Sequence, residues 1–220
     1  MGNLFEVRND SGKISVTDNT PCVYFIEKRK ISSYDDRYDI ASNHIDLDYR
    51  NVSGRIYYLG FDVNQLSNGS FCIDTSVTSG LHNFATISIY GDYNRVKDVD
   101  LYFFGIKKKT TASNAGLELY DEDGYVLFTS RSGTKYPKVL MASTATTSTF
   151  TISANPQIFV VNGWDVLGGS SWSRRRLPWI TKSGTSVTVK KDYAGGNFPW
   201  IGNQNLYLYS WMVVSLQTVQ

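Results

Sequence analysis

Cysteine, proline and charged residues are all scarce in this chain. Its 220 residues include 2 cysteines, 5 prolines and 19% charged side chains. Domains that depend on disulfides are usually smaller and richer in cysteine, so we interpret Cys22 and Cys72 as free thiols. No run of about 18 apolar residues occurs, and we therefore expect no insertion into a membrane.

Charge of one sign is also lacking, and so are the short motifs of common enzymes. The net charge is +2, which does not favour nucleic acid as the main partner. The patterns GxSxG, HExxH and CxxC are absent, and His44 and His82 are the only histidines. We predict that the protein is not an enzyme and has no catalytic residues, no cofactor and no metal site.

Aromatic residues, in contrast, are abundant and point to β-structure. They make up 14% of the chain, with 15 Tyr, 11 Phe and 5 Trp, and such residues favour strands. Short runs with period-two alternation are separated by turn residues, while no window of ten or more residues has helical periodicity. The pattern predicts an all-β fold of antiparallel sandwiches, either jelly-roll or immunoglobulin-like.

One pattern occurs twice along the chain. Residues 5–17 read FEVRNDSGKISVT, and residues 117–129 read LELYDEDGYVLFT. Each is predicted to form a hairpin, with Gly12 or Gly124 closing the turn. Two weaker echoes follow in the same order, 86–93 with 186–193 and 101–104 with 206–209. Collinear echoes predict an internal duplication.

The duplication suggests where the domains lie. We predict a first β-sandwich module over residues 1–109, a linker over 110–115 and a second module over 116–220. The segment 107–115 is charged and then small and polar, which is typical of linkers. The alternative is a single larger, pseudo-symmetric sandwich.

The opening of the chain, residues 5–18, resembles the start of small structural proteins from tailed bacteriophages. The apolar-polar strand, the Asn-Asp-x-Gly turn and the second strand ending in Thr-Asp carry the resemblance, and residues 116–130 are similar. What this implies is a virion component of the tail tip, fibre or attachment region, assembled in the host cytoplasm. Its partners would be other virion proteins and further copies of itself.

The segment from Trp172 to Trp179 is the most unusual in the chain. Arg174, Arg175 and Arg176 lie between the two tryptophans, and Trp and Arg are enriched at interface anchors. We interpret Trp172, Arg174, Arg175, Arg176 and Trp179 as an interface or ligand contact. A polyanion or a plain surface loop remains open as an alternative.

Two other functions compete with a purely structural role. Glycine-aromatic segments such as 163–164 and 195–200, together with the arginines, suggest a carbohydrate-binding or receptor-binding module for a host surface glycan. Paired acids such as Asp46 and Asp48 suggest a glycoside hydrolase, although a solvated acidic loop is the simpler interpretation. The three acids 121–123 suggest calcium, but a hairpin turn explains them better.

Overall fold

The computed structural model describes the backbone of residues 5–9, 12–16, 21–33, 38–39, 44–46, 54–78, 83–90, 92–109, 116–145, 147–162, 165–167, 172–193, 198–199 and 210–219. Side chains are described within 21–33, 54–72, 92–109, 116–145, 147–160, 178–190 and 211–219. The predicted linker 110–115 lies outside these ranges.

The described residues form strands joined by turns and short 3-10 segments. The strands are β1 (Phe5–Asn9), β2 (Gly12–Val16), β3 (Tyr24–Lys30), β4 (Tyr38–Asp39), β5 (His44–Asp46), β6 (Arg55–Asp62), β7 (Gly69–Thr78), β8 (Asn83–Tyr90), β9 (Asp100–Ile106), β10 (Glu118–Tyr120), β11 (Val126–Thr129), β12 (Lys135–Ser143), β13 (Thr147–Thr151), β14 (Ile158–Asn162), β15 (Asp165–Leu167), β16 (Trp172–Ser183), β17 (Ser186–Tyr193), β18 (Phe198–Pro199) and β19 (Ser210–Thr218). One 3-10 turn spans Tyr93–Arg95. The all-β prediction is confirmed.

Two large antiparallel sheets contain most of these strands. One sheet has six strands in the order β12-β19-β14-β6-β9-β3. The other has nine, in the order β13-β17-β16-β7-β8-β5-β4, with β15 and β18 also paired to β16. The hairpins β1-β2 and β10-β11 are separate two-stranded sheets, as the repeated pattern predicted.

Strands from both halves of the chain lie side by side in each large sheet. In the six-stranded sheet β6 pairs with β14, and in the nine-stranded sheet β7 pairs with β16. This pairing differs from the predicted tandem of separate sandwiches, because neither half completes its sheets alone. The arrangement is that of a single larger sandwich, which the sequence offered only as the alternative.

Each half enters the two sheets in the same order. Apart from the short strands β4, β15 and β18, which have no counterpart in the other half, the first half supplies β3, β5, β6, β7, β8 and β9 after its hairpin, and the second supplies β12, β13, β14, β16, β17 and β19. In each series the first two strands lie towards the outer ends of the two sheets, the next two lie at the boundary between the halves, and the last two lie between these positions. The two series also pass from one sheet to the other at the same steps. Both inner pairs are antiparallel, so the strand order has an approximate two-fold symmetry.

The main core lies between the two sheets. From the six-stranded sheet, Leu59, Phe61, Phe159 and Val213 point into it, and Phe71, Ile180 and Val187 meet them from the nine-stranded sheet. Phe159 stacks on Trp211 with ring centroids 5.3 Å apart. The core is shared by both halves, so burial stabilises their association as well as each half.

A second apolar cluster covers the other face of the six-stranded sheet. Tyr102, Phe104, Ile158, Val160 and Val214 are its buried members. The sheet curls so that its edge strands approach each other, with the rings of Tyr24 in β3 and Tyr136 in β12 6.2 Å apart. Burial on both faces explains why strands such as β9 are continuous apolar runs.

Candidate functional site

The predicted contact segment, Trp172 to Trp179, lies within β16. Arg174, Arg175 and Arg176 are in register with Leu167, Val166 and Asp165 of β15. Trp172 is in register with Pro199 of β18. Trp179 is partly buried between Lys190 of β17 and Cys72 of β7.

The segment is therefore a strand and not the loop that the sequence also allowed. β16 is a 12-residue strand, and it also carries the backbone hydrogen bonds that join the two halves through β7. The side chains of residues 172–177 lie outside the described ones. The prediction that these arginines form a contact stays a prediction, and the backbone register is what the structure adds to it.

The acidic turn of the second hairpin is held by an arginine from β6. Arg55 donates through Nη1 to Asp121, at 2.8 Å, and through Nη2 to Asp123, at 2.5 Å. Its guanidinium carbon also lies 3.9 Å from the ring centroid of Tyr125. The turn closes with a hydrogen bond from Gly124 N to Asp121 O, and Gly124 has a φ of +80°. Two of the three acids thus hold the hairpin against β6.

The residues that the sequence suggested as metal ligands or paired acids lie in different parts of the chain. Within the described part of the chain, no group of three or more His, Cys, Asp or Glu side chains could hold an ion. Asp46 and His44 lie in β5, where they pair with Thr86 and Ser88 of β8. Asp48, His82 and the segments 163–164 and 194–197 lie outside the described residues. Cys22 and Cys72 form no disulfide.

A small basic cavity, here called the hairpin pocket, lies beside the second hairpin. It measures about 160 Å³ and is lined by residues from β3, β10, β11, the segment that follows β9 and the turn before β12. The lining residues are Tyr24, Lys107, Lys108, Lys109, Glu118, Val126, Thr129, Arg131 and Thr134.

Backbone hydrogen bonds fix the three lysines along the edge of β11. Val126 N donates to Lys107 O at 2.9 Å, and Lys109 N donates to Gly124 O at 3.1 Å. Lys108 forms an isolated β-bridge with Tyr125. Residues 107–109 therefore extend the hairpin sheet, which corrects their interpretation as the start of a linker. Paired main-chain groups make this wall of the pocket rigid.

Glu118 is the one carboxylate in the lining, and it is already engaged. It accepts hydrogen bonds from the hydroxyls of Tyr120 and Thr129. The hydrogen bond from Tyr120 is the main reason why the pKa of Glu118 lies below its ordinary value. The same Tyr120 hydroxyl, beside Lys109, raises the pKa of that ammonium. Both groups are therefore charged at neutral pH.

Sequence reasoning missed this pocket, although one signal was present. Three consecutive lysines, 107–109, form one of the densest runs of positive charge outside the arginine segment, equalled by residues 28–30. Their position directly after a buried strand places them at a sheet edge. The other lining residues are distant in sequence, and only the packing of the second hairpin against β3 and β9 brings them together.

Comparison with known proteins adds no relative to this picture. No protein-family model matches the chain, and neither does any curated protein or solved structure. The part of the chain that the structure describes contains no helix with the length and apolarity needed to cross a bilayer.

Proposed function

We propose that the protein is a non-enzymatic structural subunit of a tailed-phage virion, in the tail tip, fibre or attachment region. It acts by assembling with other virion proteins and with copies of itself. The phage-like hairpin that opens each half supports the virion setting. The observation that supports assembly is a difference between the two edge strands of the six-stranded sheet in the apolar side chains that they expose.

Both edge strands carry charged residues, and β12 also contains Pro137, but of the two only β12 exposes large apolar side chains. β3 ends in four charged residues, 27–30, and Lys28 also forms an ion pair with Asp100 at 2.6 Å. At the opposite edge, Val139 and Leu140 of β12 are 56% and 42% exposed. Charged residues on an edge discourage strand addition, while exposed apolar residues on an edge favour it. We infer that β12 is the edge that another subunit covers.

We further infer that the two halves arose by duplication of one β unit. The shared strand order supports this origin, and so does the register. Leu101 pairs with Phe61 in the first half, and Val213 pairs with Phe159 in the second. These pairs make Leu101 equivalent to Val213. The two residues are 112 positions apart in the sequence, and the same separation relates the two hairpin sequences. An ancestral single unit would have formed the same sheets as a symmetric dimer.

A glycan-binding module is the second candidate. The hairpin pocket favours it, because its excess of positive charge suits an acidic ligand. The two roles are compatible in an attachment protein, which must both assemble and contact the host.

The assembly function is tested by placing charge on the β12 edge. Val139→Lys with Leu140→Lys should leave the fold intact and lower the oligomer mass in native mass spectrometry. Thr147→Lys is the matched control, because it adds a lysine to an exposed position on the edge strand β13 of the other sheet. An unchanged oligomer in the β12 variant would contradict the proposed contact, and a monomeric wild-type chain would contradict self-assembly.

A further inference from the structure

We propose that the hairpin pocket binds the carboxylate-bearing ring of an acidic sugar. This inference deepens the host-contact part of the proposed function and depends on it for its biological setting. Its chemistry depends on the pocket alone. Four properties of the pocket support it: net charge, an accessible guanidinium, size and an amphipathic rim.

The charge of the pocket is unbalanced. Lys107, Lys108, Lys109 and Arg131 contribute four cations, and Glu118 is the only acid among the lining residues. The carboxylate of Glu118 is occupied by Tyr120 and Thr129. Like charges held together by a fixed backbone repel one another, and an external anion would relieve that repulsion.

Arg131 is the cation best placed to receive such an anion. It is an exposed residue of the lining. Among the described residues its guanidinium donates no hydrogen bond, although its charge helps to lower the pKa of Glu118. Lys107, in contrast, donates to Ile26 O, and Lys108 lies 5.2 Å from the ring of Tyr125. A planar guanidinium binds a carboxylate through two parallel hydrogen bonds, which favours a sugar acid as the ligand.

The size of the pocket limits what enters it. Cavities for drug-sized ligands usually have volumes of about 300–1,000 Å³, whereas this one has about 160 Å³. A single ring or terminal group fits this space, and a longer glycan chain would have to continue outside it. The pocket is therefore suited to a terminal or side-branch residue of a surface polysaccharide.

The residues around the pocket combine polar and apolar character. Thr134 supplies a hydroxyl to the lining. Tyr120 is not a lining residue, but the Lys109 ammonium lies 4.8 Å from its ring centroid and the residue is 36% exposed. Tyrosine presents an apolar face with a polar end, and a sugar ring likewise has apolar C–H faces and polar edges. Because backbone bonds hold 107–109 in place, little ordering accompanies binding.

The test is titration of the folded full-length chain with sodium glucuronate, followed by NMR of backbone amides. Glucose serves as the neutral control and inorganic phosphate as the anion without a sugar ring. We expect saturable shifts at 107–109 and 131 with glucuronate, and weaker binding by about tenfold or more in Arg131→Ala and Lys109→Gln. Lys138→Ala, an exposed cation outside the pocket, should bind as the wild type does.

The possible outcomes distinguish the sugar-acid proposal from the assembly function. No saturable shift with glucuronate, or equal binding of phosphate, would overturn the sugar-acid proposal. Unchanged affinity in both pocket variants would do the same. A chain that fails this titration but is found in particles leaves the assembly function standing. A chain that binds glucuronate but is absent from particles supports the pocket and contradicts the virion role.

Discussion

Phe61 of β6 lies directly opposite Phe159 of β14, with ring centroids 5.5 Å apart. Phe61 is also paired with Leu101, and Phe159 with Val213, so a row of four buried residues crosses the boundary between the halves. The two phenylalanines occupy equivalent positions in the repeated strand order. The halves are thus joined through a common core.

Truncating either phenylalanine should destabilise the whole chain in one transition. We expect Phe61→Ala and Phe159→Ala each to lower the free energy of unfolding by about 3–5 kcal/mol. The double variant should lose less than the sum of the two, by about 0.5–1.5 kcal/mol, because the rings contact each other. Urea unfolding measures all three, with Val139→Ala as the exposed control. Two separate unfolding transitions would contradict a shared core.

The halves should also reassemble when the chain is divided. We expect residues 1–109 and 116–220, produced together as separate chains, to form a soluble one-to-one complex. The reason is that β6-β14 and β7-β16 provide continuous backbone pairing between them. Co-purification through a tag on one half measures this. Two halves that fold and remain apart would show that each builds its own sheets.

The ion pair between Lys28 of β3 and Asp100 of β9 predicts how the stability of the protein depends on acid pH. Burial raises the pKa of Asp100, but hydrogen bonds from Lys28 and Gln65 outweigh it and bring the pKa below its ordinary value. A carboxyl with a lowered folded pKa contributes stability above its unfolded pKa, and that contribution is lost as the pH falls through the folded pKa.

Asp100→Asn should therefore be less stable than the wild type at neutral pH, by about 1–3 kcal/mol. The difference should shrink as the pH falls from about 5 towards 2. Thermal melts across that range measure it, and Glu122→Gln, at an exposed position, should show no such convergence. A difference that stays constant with pH would mean that charge at Asp100 is not what stabilises β3.

The arginine segment carries a prediction about assembly. Changing Arg174, Arg175 and Arg176 together to serine should leave the far-ultraviolet circular dichroism spectrum unchanged, since serine can keep the backbone pairing with β15. We expect weaker incorporation into particles or weaker host binding, because Arg is enriched at interface anchors. Normal incorporation together with normal host binding would show that these arginines make no essential contact.

Alternation in the sequence predicted local structure well. The hairpin β1-β2 and the strands β9 and β17 follow directly from period-two or continuous apolar patterns. Charged runs are harder to assign: residues 27–30 continue β3, and residues 174–176, which the sequence also allowed as a surface loop, lie within β16. Such residues are tolerated at sheet edges or on faces that sequence alone does not identify.

Neighbour relations between strands were harder to predict. Period-two patterns report which face of a strand is buried, but not which strand lies beside it. The sharing of sheets between halves was therefore not predicted as the leading arrangement. The sequence match between 101–104 and 206–209 shows the same difficulty. It aligns Leu101 with Leu206, whereas the strand pairing makes Leu101 equivalent to Val213. Apolar runs match one another at several offsets.

The central proposal, a structural subunit of a phage particle, is tested most directly by quantitative mass spectrometry of phage particles purified from the cells that produce the chain. We predict that its peptides co-purify with the major tail proteins at a fixed copy number per particle through successive density gradients. Abundant protein in the infected-cell lysate with none in the gradient-purified particles would contradict the proposed function.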